Sequence, residues 1–101
     1  MEQKKFTELI ESDQPVLVDF SATWCQPCKM MTPILSEVKK SFGERLTIIK
    51  VDIDRNRTTA DHYQITGVPT LILFKNGHTL WRQSGVIPHH QLKPILERFV
   101  G

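Results

Sequence analysis

Apolar residues along this chain change their period several times, and each change marks an element. Phe6, Leu9 and Ile10 stand at helical spacing in a polar opening, which predicts a short amphipathic helix ending near Ser12 and Asp13, where Gln14-Pro15 breaks it. Residues 16–22, VLVDFSA, form a nearly continuous apolar run with β-branched and aromatic members, the pattern of a strand buried on both faces and central in a sheet. Met31, Leu35, Val38 and Phe42 then describe one face of a helix, and Gly43 suits its C-terminal cap. Residues 46–53, LTIIKVDI, read as a second buried strand, residues 55–63 as a short helix and residues 70–74, TLILF, as a third strand. Asn76-Gly77 predicts a type I′ turn that returns the chain antiparallel over residues 79–83. Leu92, Ile95, Leu96 and Phe99 mark a closing helix, whose start Pro94 restricts or whose axis it kinks.

The order is a parallel βαβ half joined to an antiparallel ββα half, hence an α/β fold. At 101 residues the chain, 1–101, has room for one domain. Its 40% apolar and 24% charged residues are those of an ordinary globule. The net charge of +2 is dispersed, without the run of five or more Lys or Arg that points to nucleic acid or an anionic membrane. No apolar stretch approaches the roughly 20 residues of a membrane span, and the opening lacks the apolar centre of a signal peptide. A cytoplasmic protein is the expectation, a removed leader aside.

Both cysteines lie in Trp24-Cys25-Gln26-Pro27-Cys28-Lys29. A disulfide closing so small a loop constrains little, so stabilisation explains the pair poorly. At the start of the following helix, a rise of about 1.5 Å per residue puts the two alpha carbons roughly 5 Å apart on one face, which matches disulfide geometry. Unpaired amides and the partial positive charge of a helix start favour a thiolate at Cys25 and lower its pKa, making it the attacking nucleophile. Cys28, one turn on, is placed to resolve the mixed disulfide. A zinc site lacks a second cysteine pair, and His62, His78, His89 and His90 have no ligand spacing to this one; haem attachment requires His where Lys29 stands. An inert buried pair remains open, although Trp24 and Pro27 beside it suit a docking surface better.

Taken together these residues resemble the thioredoxin family. Trp24, Cys25, Pro27, Cys28 and Lys29 match its Trp-Cys-Gly-Pro-Cys-Lys motif, with Gln26 in place of glycine. VDFSA resembles the family's VDFWA, so Ser21 stands where an aromatic is usual. Ile65-Thr66-Gly67-Val68-Pro69-Thr70 resembles its cis-proline segment, and Phe74-Lys75-Asn76-Gly77 its hairpin. The family usually carries one more strand before its first helix, yet residues 1–5 are a charged stub. The resemblance therefore implies a thioredoxin fold with a mixed sheet of about four strands, the N-terminal edge strand missing or vestigial, flanked by about four helices.

Asp19 interrupts a buried strand, where burial should raise its pKa. The resemblance makes it the proton acceptor for Cys28, directly or through a water, with Lys50 tuning it; a buried Asp19–Lys50 pair that only satisfies itself is the alternative. The resemblance likewise makes Pro69 cis and packed on the disulfide, with the Val68 backbone open to an extended substrate and Trp24, Gly67, Gly85 and Val86 as a rim. A trans turn proline is the alternative. Gln26 and Pro27, between the cysteines, are expected to contact substrate and set redox poise, glutamine shifting the potential modestly. Pro33 should kink its helix, and Met30-Met31 should be core filling with Met30 near the surface.

The activity so implied is reduction of protein disulfides by a reversible Cys25/Cys28 couple, re-reduced by an NADPH-dependent thioredoxin reductase. The chain itself is expected to bind no cofactor and no metal, to avoid nucleic acid and membrane, and to be a monomer. Two other readings stand beside it: a thioredoxin-like interaction module with incidental cysteines, and a dithiol oxidase or isomerase of an oxidising compartment.

Overall fold

The continuous apolar run at Val16–Ser21 has all six residues buried, and it becomes β1, paired on both edges. The computed structural model describes Met1 and residues 3–101. Among them lie three more strands, β2 (Thr47–Asp52), β3 (Thr70–Lys75) and β4 (His78–Ser84), in the sheet order β2-β1-β3-β4. β2 runs parallel to β1, with Asp19 opposite Lys50, whereas β3 is antiparallel to both β1 and β4. This is the expected four-stranded mixed sheet.

Four α-helices cover it: α1 (Gln3–Ile10), α2 (Gln26–Phe42), α3 (Arg57–His62) and α4 (His89–Glu97). Because side chains alternate along a strand, β1 feeds two cores at once. Leu17 packs with Met31, Leu35 and Val38 of α2 and with Leu92 and Leu96 of α4. Val16, Val18 and Phe20 meet Phe6 and Ile10 of α1 on the other face. Phe6 is fully buried, its ring centroid 5.6–6.1 Å from those of Phe20, Tyr63 and Phe74. Burying such a side chain contributes roughly 1.5–3 kcal/mol.

The hairpin forms as predicted. Asn76 and Gly77 have φ of 52° and 79°, both positive as a type I′ turn requires. Their amides also donate to the Ser12 and Ile10 carbonyls, at 2.8 and 2.9 Å, fastening the hairpin tip to the end of α1.

Two expectations change. The run at 46–53 predicted a buried strand, but β2 is an edge strand in which only Val51 is buried and Lys50 is exposed. Apolar content reports that a strand packs on a core; it does not report which neighbours pair with it. The helix expected over 55–63 contracts to α3, preceded by Asn56. Pro33 lies inside α2, as expected, and Pro94 inside α4, which begins five residues before it with Pro88 at its N-cap. The helix-capping glycine is Gly43, as expected; its N–H bonds the Lys39 carbonyl, and a 3-10 turn, Gly43–Arg45, leads on to β2. No described helix is long and apolar enough to cross a membrane.

Candidate active site

Chain geometry at the start of α2 sets the cysteine pair. Cys25 is extended, with φ −93° and ψ 108°, and serves as the N-cap, one residue before the first helical turn. Gln26 and Pro27 are then the first two helical residues, where proline's missing N–H costs nothing because those amides have no intrahelical acceptor. Cys28 comes third, and its N–H donates to Cys25 Sγ at 3.1 Å, so sulfur occupies the position a serine or aspartate oxygen takes in ordinary N-caps.

The two cysteines form a disulfide with alpha carbons 5.3 Å apart. Cys25 is 4% and Cys28 1% exposed, and both pack against Ala22, with Ile53 and Val68 alongside. Cys25 Sγ lies 3.7 Å from the Val68 carbonyl oxygen, so residues 43 positions apart in sequence meet at the sulfur.

The Val68–Pro69 peptide is cis, and Pro69 is buried; a trans turn proline is thereby ruled out. Gly85 N–H donates to the Pro69 carbonyl at 2.8 Å, and the Thr70 hydroxyl donates to the Gly67 carbonyl at 2.7 Å. Gly67 is exposed and Val68 half-buried. Trp24 is 67% exposed, yet its indole N–H donates to Asp54 Oδ2 at 2.8 Å, which fixes the ring on the surface. Gln26, Pro27 and Met30 are exposed beside it, whereas Met31 is fully buried and accepts the Ile87 N–H on its sulfur. Val86 is half-buried and packs against the α2–α4 core.

Asp19 is 1% exposed, and neither carboxylate oxygen has a hydrogen-bond partner among the described residues. Burial raises its pKa from 3.8 to about 6, and the Lys50 charge opposes that rise. The self-satisfied Asp19–Lys50 pair is not what forms, because two residues opposite each other on neighbouring strands share a face without their charged ends having to touch. Asp19 instead faces a cavity of about 260 Å³ between α2 and β2, lined also by Thr32, Leu35, Ser36, Lys39, Ile48 and Lys50. The Lys39 ammonium is engaged elsewhere, donating to the Gly43 and Leu46 carbonyls. A second cavity, of about 270 Å³, opens beside Ser21, where the family's aromatic is absent, and shares Lys50 as a wall.

Sequence reasoning missed Asp54, Ser84 and Ile53 as parts of this site. Each acts through a contact between distant segments, and no local motif announces it.

The thioredoxin family model matches residues 1–98. Thioredoxin Y, chloroplastic, of Oryza sativa subsp. japonica is 48% identical over 93 residues, covering 91% of this chain and 55% of that protein. Thioredoxin of Buchnera aphidicola subsp. Baizongia pistaciae is 41% identical over 92 residues, and that of Acidithiobacillus ferridurans 44% over 91; each match covers at least 90% of this chain and 84% of the relative. The chain thus spans about half the length of the plant relative and most of the bacterial ones. With a cystine at the N-terminal end of α2, a four-stranded mixed sheet and a family match over nearly its whole length, this chain belongs to the thioredoxin family.

Proposed function

We propose that the chain is a thiol-disulfide oxidoreductase that reduces protein disulfides through Cys25 and Cys28. The observation that carries this reading is the helix-start amide of Cys28 aimed at Cys25 Sγ, with the second sulfur within bonding reach. In the reduced protein that N–H would donate to a Cys25 thiolate and favour it.

The Cys25 thiolate attacks one sulfur of the substrate disulfide, whose S–S bond breaks as the Cys25–substrate bond forms, and the first substrate thiolate leaves. Cys28 gives its proton to Asp19, directly or through a water. Its thiolate attacks Cys25 Sγ, the mixed disulfide breaks and the second substrate thiolate leaves, taking up a proton. The substrate has gained two electrons and the chain is left as the Cys25–Cys28 disulfide. Asp19 suits the acceptor's part because a carboxyl raised to about 6 both takes and returns a proton near neutrality. Lys50 tunes it electrostatically.

An extended substrate segment pairs with the Val68 backbone beside Cys25, in the manner of an added strand. Trp24, Gln26, Pro27, Gly67, Pro69, Gly85 and Val86 surround it. The exposed, anchored Trp24 ring and the half-buried Val68 support this placement. An NADPH-dependent thioredoxin reductase returns the two electrons, the working form is a monomer, and the compartment is the cytoplasm; the rice relative, by its name, is chloroplastic.

Cys28→Ser, mixed with an excess of a protein disulfide, should accumulate an adduct on Cys25 visible by mass spectrometry, while Cys25→Ser forms none. Equal adduct on both variants would overturn the assignment of roles. Turnover of a protein disulfide with NADPH and a thioredoxin reductase separates this reading from an oxidase and from an interaction module, neither of which turns over under those conditions.

A further inference from the structure

The segment that presents Val68, residues 63–69, joins α3 to β3 without regular secondary structure. Gln64 within it has φ 52°, a left-handed conformation that costs a non-glycine residue roughly 1–2 kcal/mol. Three backbone bonds hold its α3 side, Tyr63 N–H to Thr59, Gln64 N–H to Asp61 and Ile65 N–H to Ala60, at 3.1, 3.0 and 2.9 Å. Further hydrogen bonds come from β4, from the residue after it and from Thr70 at the start of β3.

Arg82 donates from Nη1 to the Tyr63 carbonyl and from Nη2 to the Gln64 carbonyl, the latter at 3.0 Å. Two residues on, Ser84 Oγ pairs with Thr70 Oγ1 at 2.9 Å, and Thr70 Oγ1 donates to the Gly67 carbonyl. Gly85 N–H holds the Pro69 carbonyl. The strand register explains the reach: Arg82 lies opposite Ile72 and Ser84 opposite Thr70, so both side chains project on the α1–α3 face of the sheet, where Ile72 packs and residues 63–69 pass. β4 therefore grips this segment at both ends, and between the grips hangs the residue whose carbonyl lies 3.7 Å from Cys25 Sγ.

We propose that Arg82 is a positioning residue for substrate recognition: its two-pronged hold on the Tyr63 and Gln64 carbonyls, with the Ser84–Thr70–Gly67 chain at the other end, sets where the Val68 backbone meets an extended protein substrate. Arg82 touches neither sulfur, so it governs docking and leaves the exchange chemistry alone. This rests on the reading of Val68 as the docking residue of a protein-disulfide reductase. The planar guanidinium matters because one ammonium cannot span two successive carbonyls in the same geometry.

The test compares a substrate that needs the docking segment with one that does not. In Arg82→Ala, KM for insulin disulfides should rise about tenfold, the order carried by one exposed charge-assisted hydrogen bond. The insulin kcat should stay within about twofold, since no contact to the sulfurs is lost. The rate with a small aryl disulfide, which has no backbone to pair, should be unchanged. Arg82→Lys should resemble Arg82→Ala, and added guanidinium ion should lower the insulin KM of Arg82→Ala but not of the unaltered protein. An unchanged insulin KM, or an equal loss on both substrates, overturns the proposal. Should Arg82→Ala fail to fold, the same two-substrate ratio is read on Arg82→Lys and decides the matter. Failure of the unaltered protein to reduce insulin would instead remove the proposed function, so the two failures are distinguishable.

Discussion

Replacing Asp19 by Asn keeps the shape of the side chain and removes its charge from a site where neither oxygen is paired among the described residues. Because the folded protein holds the Asp19 proton up to about pH 6 while the unfolded chain releases it near 3.8, folding is favoured by proton binding. That contribution is fully present below pH 3.8, declines as pH rises through the window up to about 6, and is gone above it. At about 1.4 kcal/mol per pH unit, the interval from 3.8 to about 6 amounts to about 3 kcal/mol. Asp19→Asn should therefore differ little from the unaltered protein at pH 3.5 and be more stable by about 2–3 kcal/mol at pH 8. Urea unfolding of the oxidised protein and of the variant, at half-unit steps from pH 3.5 to 8, measures the difference directly. A difference independent of pH would refute the desolvation argument. The same variant should prolong the mixed disulfide on Cys25; if resolution ran at its usual rate, the carboxylate would be an expense of the fold with no part in proton transfer. A protein that keeps a destabilising buried charge at its site fits a trade between stability and activity.

Phe6→Ala should cost about 3–5 kcal/mol, since it empties a fully buried ring site between Phe20, Tyr63 and Phe74; a loss under about 1 kcal/mol in urea unfolding would show that α1 is not a working part of the core. Gln26→Gly should shift the potential of the Cys25/Cys28 couple by no more than about 30 mV, a tenfold change in equilibrium constant, because the Gln26 side chain is exposed. Titration against glutathione measures it, and a larger shift would mean that this side chain reaches the sulfur.

The elements and the cysteine pair were legible because both are local. The face of α2 at Met31, Leu35 and Val38 follows from helical spacing, and all three are buried as the period requires. The turn at Asn76-Gly77 follows from the need for two positive φ angles. The closeness of Cys25 and Cys28 follows from the rise of a helix, although the spacing left the N-cap position of Cys25 undecided by one residue. β2 was misread as interior because Ile48, Ile49 and Val51 look alike whether a strand has one neighbour or two.

What this chain's residue order determined alone is a set of short-range facts: which segments are helix or strand, which faces are apolar, and that two thiols lie within reach of each other. Backbone sterics and the periods of 3.6 and 2 act over a few residues, so they can be read without a fold. The tertiary structure alone decided that Val68 lies against Cys25, that Asp54 anchors Trp24, that Asp19 is sealed in without a partner, and that Arg82 holds the segment presenting Val68. Those contacts join residues 18 to 43 positions apart or depend on what surrounds a side chain in space, and they exist only once the sheet has closed and the helices have packed on it.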